Sequence, residues 1–220
     1  MKAQFLIIYI IALLLFSCCS KSSANDNGHP ATDIPAIAVN GRITVLDFGA
    51  RGDGKTDNTD VLQKAIDACA AKSATLVFPK GSYYTRPLFL RSNLTLQLDE
   101  GAVILGSPHK SEYDKVFPNA TSIETSALIY GKNVHDVKIS GKGKIDGQGG
   151  SASFQLGNDG KGRPKLVFFV GCRNITLENI ELTNSAFWTC HFLVCDSVKV
   201  KGIKIYSHSN WNNDGLDIDA

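Results

Sequence analysis

The sequence predicts an all-β protein, a right-handed parallel β-helix closed at its N-terminal end by one capping helix. Three observations carry that prediction. Past residue 71 the chain is a succession of short apolar runs separated by Gly, Asn, Asp and Ser, with no helical periodicity between them. Two runs repeat: Cys172-Arg173-Asn174-Ile175-Thr176-Leu177 aligns with Cys195-Asp196-Ser197-Val198-Lys199-Val200 at an offset of 23, and Ile180 and Leu182 align with Ile203 and Ile205. Asn133 to Ile145 is an earlier, looser copy. A period in the low twenties is one coil of a solenoid, whose coils bury their apolar faces on one another. The third observation is a single amphipathic stretch, in which Val61, Leu62, Ala65, Ile66 and Cys69 share one helical face. A β-sandwich would also give short strands, but not matching columns at a fixed offset.

The elements follow in order. Residues 1–17 read as a leader: Lys2 is a positive n-region and Phe5 to Phe16 is apolar apart from Tyr9. Some 12 residues make a helix of about 18 Å, short of a ~30 Å hydrocarbon core, so the stretch suits a signal peptide better than a permanent span. Leu15-Phe16-Ser17-Cys18 resembles the lipobox of a bacterial lipoprotein, which makes Cys18 the lipidated N-terminus of the mature chain. An ordinary secretory signal cut near Ser20 or Ser23 is the alternative. Residues 18–42, rich in Ser, Asn, Asp and Pro from Lys21 to Pro35, read as a tether. Ile43 to Phe48 alternates well enough for a strand, and Asn58 to Ala71 is the capping helix, with Asp57 or Asn58 placed to cap it. Strands are then expected at Thr75–Phe78, Leu94–Leu98, Val103–Leu105, Val137–Ile139, Ile175–Leu177 and Val198–Val200.

Composition narrows the function classes. Over 220 residues, 23 Lys plus Arg balance 21 Asp plus Glu, and no basic run advertises nucleic acid. The six Cys lack the CxxC spacings of a zinc site, so no metal is expected; Cys69, Cys172, Cys190 and Cys195 read as buried small hydrophobes rather than a disulfide framework. Gly49-Ala50-Arg51-Gly52-Asp53-Gly54-Lys55-Thr56 satisfies the phosphate-binding loop pattern. The helix start nevertheless falls after the Lys-Thr pair, where a phosphate loop needs amides, and the following strands do not alternate with helices. No nucleotide is expected there.

Val45-Leu46-Asp47-Phe48-Gly49-Ala50, followed by Gly52-Asp53-Gly54-Lys55-Thr56-Asp57, resembles the opening of the pectin-degrading β-helix enzymes. From Ile43 onward the chain resembles glycoside hydrolase family 28, the polygalacturonases. The matching segments are Leu76 to Gly81, Leu94 to Ala102, Gly143 to Gly149 and Asn184-Ser185-Ala186-Phe187-Trp188-Thr189, then Asn212-Asn213-Asp214-Gly215. The last resembles the family's Asn-Thr-Asp-Gly, with Asn213 in place of Thr. The resemblance implies that Asp214 helps activate water. It also implies a general acid in a following Asp-Asp pair, a Gly-His-Gly segment and an Arg-x-Lys grip on the substrate carboxylate. None of these finds a match up to Ala220, so residues 43–220 are expected to be a β-helix catalytic domain lacking its C-terminal coils, and the 220-residue chain is expected to be inactive alone.

The residues themselves allow the chemistry. Inverting hydrolysis of a glycosidic bond needs one carboxylic acid for the leaving oxygen and one carboxylate for water, about 6.5–9.5 Å apart. Asp214, Asp217 and Asp219 crowd one short stretch; Asp217 and Asp219 share a face if extended, and repulsion would raise at least one pKa. A polar turn with Asx hydrogen bonds would look the same. Asp214 is the catalytic candidate, and Asn212, Asp217, His191 and Trp188 are candidates to touch substrate, with Trp188 either stacking on a sugar or filling the wall beneath it. No cofactor is called for. The expected partner is pectic polysaccharide, polygalacturonan or rhamnogalacturonan, and the expected place is the bacterial envelope, held to the membrane only by the lipid on Cys18, or else secretion. The full-length protein is expected to be a monomer. A non-catalytic polysaccharide-binding β-helix and a Ca²⁺-dependent β-helix lyase are the rival readings.

Overall fold

The computed structural model describes residues 41–120, 126–155 and 162–219; the leader, Cys18 and almost all of the tether lie outside the described residues. Strand β1 (Arg42–Thr44) leads into a 3₁₀ turn over Val45–Phe48 and helix α1 (Thr59–Ala70). Five coils follow, each giving one strand to each of three parallel sheets, A, B and C. The first holds β2 (Thr75–Phe78), β3 (Gly81–Thr85) and β4 (Leu88–Phe89). The second holds β5 (Leu94–Leu98), β6 (Ala102–Gly106) and β7 (Ala127–Lys132), with helix α2 (Lys110–Val116) inserted between the last two. Strands β8 (His135–Gly141), β9 (Lys144–Asp146) and β10 (Lys165–Val170) form the third, and β11 (Arg173–Glu178), β12 (Glu181–Thr183) and β13 (Cys190–Leu193) the fourth. The fifth is β14 (Asp196–Lys201), β15 (Lys204–Tyr206) and β16 (Leu216–Asp219). The fold is a right-handed parallel β-helix.

Register turns the sequence repeat into columns. Ile175 pairs with Val198 and with Val137, and Leu182 with Ile205 and with Ile145, so each inward position meets its counterpart in the next coil. Tyr83, Ile104, Ile145 and Leu182 continue one such column through sheet B, and all four are buried. Removing these side chains from water is the dominant stabilising term. Leu62, Ala65, Ile66 and Cys69 of α1 cover the first coil's end of that core.

Two expectations need correcting. Ile43 to Phe48 is strand only to Thr44: the Thr44 side chain accepts from the Asp47 amide (3.3 Å) and the Asp47 carboxylate accepts from the Thr44 amide (2.9 Å), a capping box that closes a 3₁₀ turn. The later chain also holds a helix, α2, whose Tyr113 is buried against Phe154. At α1, the Asp57 carboxylate accepts from the Thr59 amide (2.9 Å), while Asn58 is buried and braces the loop, its Nδ2 donating to the carbonyls of Arg51, Thr56 and Tyr84. Cys69, Cys172 and Cys190 are buried and Cys195 half-buried, all as free thiols. Among the described residues no helix is long and apolar enough to cross a membrane.

Candidate functional site

The corner where the chain passes from sheet B to sheet C carries α2 and, among the described residues, the loops 117–120, 147–155, 162–164, 184–189 and 207–215. A regular scaffold with variable loops at one corner is where a solenoid keeps its chemistry. Asp214 ends the last of these loops and is exposed; its carbonyl accepts from the Thr189 amide (2.8 Å), which ties the loop to the neighbouring coil. Asn213 reinforces that tie, its Nδ2 donating to the Ser185 carbonyl and to Ser207 Oγ. Asn212 is exposed and takes a left-handed φ of 57°, the sharp turn that Asn accommodates best among non-glycine residues.

Strand β16 then runs extended. Asp217 and Asp219 lie on its outward face, as the alternation of a strand requires. Asp217 is half-buried, stands beside Asp214, and has one carboxylate oxygen with no hydrogen-bond partner. Burial, the Asp214 charge and the Asp219 charge push its pKa up, against the opposing pull of Lys165. Asp214 is thus in the open while Asp217 sits half-buried with its pKa raised, a difference of environments that acid–base chemistry uses.

Below the acidic strand, the outer face of sheet C is a column: Phe89, Tyr130, Phe168, His191 and Asp217 are successive register partners. His191 is fully buried, so it lies beneath the cleft floor rather than lining it. Its ring stacks on Phe168 at 4.9 Å and meets Trp188 edge-on at 5.0 Å. Nδ1 is 2.7 Å from Lys165 Nζ, and Nε2 is 2.8 Å from Asp219 Oδ2. Trp188 is half-buried and stacked on Phe187 at 5.2 Å.

Two cations escape sequence reasoning. Lys165 is 1% exposed, with Nζ 4.1 Å from the Phe168 ring centroid and 4.8 Å from that of Trp188. Burial lowers its pKa to about 8, against the pull of Asp217 and Asp219. Arg163 is also buried; Nη1 donates to the carbonyls of Ala186 and Trp211 (2.8 Å each), and the guanidinium lies 4.3 Å from the Trp211 ring centroid. It clamps the two corner loops that carry Trp188 and Asp214. Nothing in Arg-Pro-Lys distinguishes either residue from surface charge. Their roles arise from coils stacked more than twenty residues apart in sequence.

A polar concavity of about 380 Å³ opens on the sheet B side of the same corner, lined by residues including Asp146, Gln148, Asn184 and Ser209. Asn184 Nδ2 donates to both oxygens of Asp146 (3.1 Å each), and Ser209 Oγ donates to Asn184 Oδ1 (2.8 Å), so its side chains are mutually engaged. Among the described residues no cluster of three or more His, Cys, Asp or Glu could hold a metal ion.

Residues 42–219 match the family model described as rhamnogalacturonase A/epimerase, pectate lyase-like. The chain belongs to that family. A probable polygalacturonase of Vitis vinifera is 30% identical over 99% of the chain and 48% of the relative. A plasmin and fibronectin-binding protein A of Streptococcus pneumoniae is 32% identical over 65% of the chain and 21% of its own length. Among solved structures, a hyperthermoactive exopolygalacturonase of Thermotoga maritima superposes with a TM-score of 0.68 at 28% identity, covering 80% of this chain and 48% of that one. The chain spans about half the length, or less, of these relatives.

Proposed function

We propose that this family member is a pectic glycoside hydrolase, cleaving polygalacturonan or rhamnogalacturonan chains with inversion. The observation that carries the reading is the Asn212-Asn213-Asp214-Gly215 turn, with its exposed Asp214 carboxylate beside the half-buried Asp217. The polygalacturonases among its relatives support the substrate class. In this reading Asp214 accepts the proton of the attacking water, while Asp217 and Asn212 hold the sugar and Trp188 shapes the wall beneath it. Protonation of the leaving oxygen falls to a carboxylic acid across the scissile bond, 6.5–9.5 Å from the base so that water fits between. The exported setting belongs to the same proposal.

Asp214→Asn tests it. In the full-length enzyme, turnover on polygalacturonate or rhamnogalacturonan should fall by about 10²–10⁴-fold, with KM changed far less, because a catalytic base acts in the transition state. Near-normal turnover would sink the assignment. The Streptococcus pneumoniae relative, named for binding, favours a second reading, a β-helix that binds polymer without cleaving it. Retention of pectic polymer with no reducing-sugar release, by wild type and variant alike, would select that reading.

A further inference from the structure

Three groups of different charge meet on the outer face of sheet C, one from each of three consecutive coils: Lys165 on β10, His191 on β13 and Asp219 on β16. The hydrogen-bond chain has a direction. An ammonium can only donate and a carboxylate can only accept, so Lys165 Nζ donates to His191 Nδ1 and His191 must carry its proton on Nε2, which donates to Asp219. The ring has no freedom to turn. Phe168 covers one face, 7° from parallel, and Trp188 stands at 85° to it. In the same column, His191 and Asp217 are register partners.

We propose that Lys165 and His191 are positioning residues: a buried relay that fixes the Asp219 carboxylate and holds a positive charge beneath Asp217, so that the acidic strand presents its carboxyls to substrate in one arrangement. This rests on the hydrolase reading for its catalytic meaning, though the relay itself does not. Among the described residues, charged groups act on one another across the relay. Asp217 and Asp219 act on Lys165; Lys165 and Asp219 act on His191; Asp214, Lys165 and Asp219 act on Asp217. Burial and Lys165 both hold His191 below its ordinary pKa, against the opposing pull of Asp219. A neutral His191 passes on the orienting effect of Lys165 without itself adding a charge. Neither residue touches substrate, which separates this role from that of Asp214.

The first measurement needs no variant and no activity. In ¹⁵N spectra of the full-length protein, His191 should show the Nε2–H tautomer alone and titrate below about 6.5, the ordinary histidine value. An Nδ1–H tautomer, or an ordinary titration, overturns the proposal. Lys165→Met should then raise the His191 pKa, since Asp219 still favours the charged ring while the opposing ammonium is gone. In the active enzyme, the same substitution should shift the acidic limb of the kcat/KM profile to higher pH by about one unit, the lower end of what one adjacent charge does. His191→Gln, whose amide can donate where Nε2 does, should keep at least tenfold more kcat than His191→Leu. An equal loss in both, with an unmoved pH limb in Lys165→Met, marks a merely structural role and overturns the proposal. A protein with the expected tautomer and no pectic turnover refutes the hydrolase reading while the relay stands.

Discussion

Asp53 closes its own loop. Its carboxylate accepts from the amides of Lys55 (2.9 Å) and Thr56 (2.8 Å) and from the Thr56 hydroxyl (2.7 Å), so the amides that a phosphate would need are already engaged. Those bonds, led by the Thr56 amide, hold the Asp53 pKa down to about 2 from an ordinary 3.8. A carboxyl depressed in the folded state stabilises it above the unfolded pKa, and that contribution disappears as pH falls through the folded value. Asp53→Ala should therefore lower the urea midpoint at pH 7 and at pH 5, and the gap from wild type should close between about pH 4 and pH 2. A gap that stays constant with pH would mean that the carboxylate does not anchor the turn. The sequence made this loop legible as a turn into α1, because its three glycines and Asp-Gly dipeptide speak for themselves. It could not make Lys165 or Arg163 legible. A lone cation in a strand reads as a solvated face until the coils above and below are known.

At the scale of elements, legibility followed the corners. The last two coils are offset by 23, as Ile175 and Val198 pair, because nothing is inserted between them. Earlier coils carry long insertions between β6 and β7 and between β9 and β10, so Lys138 pairs with Thr95 and with Thr176 at unequal distances along the chain, and the repeat blurs. Strands β7 and β10 were invisible for another reason: burial on both faces leaves continuous apolar runs with no alternation to read. The C-to-A corner supplies a test of how far such columns govern stability. Asn133, Gly171 and Val194 occupy it in successive coils, with φ of 54°, 63° and 50°. Asn and Gly adopt that conformation readily, while a β-branched side chain is strained there. Val194 is 64% exposed, so little apolar burial offsets the strain. Val194→Asn should raise stability by about 1 kcal/mol, read as a higher urea midpoint with an unchanged slope. Destabilisation would show that Val194 makes a contact worth more than its backbone strain.

The whole molecule joins a solenoid, matched by the family from residue 42, to an N-terminal segment outside the described residues. The leader reading is a proposal that rests on Leu15-Phe16-Ser17-Cys18 immediately after the apolar run. It has a physical consequence that an ordinary secretory signal lacks. A single acyl chain binds a bilayer only marginally, whereas several on one N-terminal cysteine anchor a protein stably. A formal net charge of +2 is too small for electrostatic attachment to imitate that, and salt would screen it. The protein should therefore sediment with membranes, resist a high-salt wash and leave with detergent. Cys18→Ala should move it to the soluble fraction or leave it unprocessed, at a mass that retains the leader. In the full-length enzyme such a variant would leave the cleft on the solenoid untouched, so activity per molecule on a short, soluble pectic oligomer should be unchanged. If fractionation and processing are both the same in Cys18→Ala as in wild type, Cys18 is not the anchor, and cleavage near Ser20 or Ser23 becomes the reading to pursue.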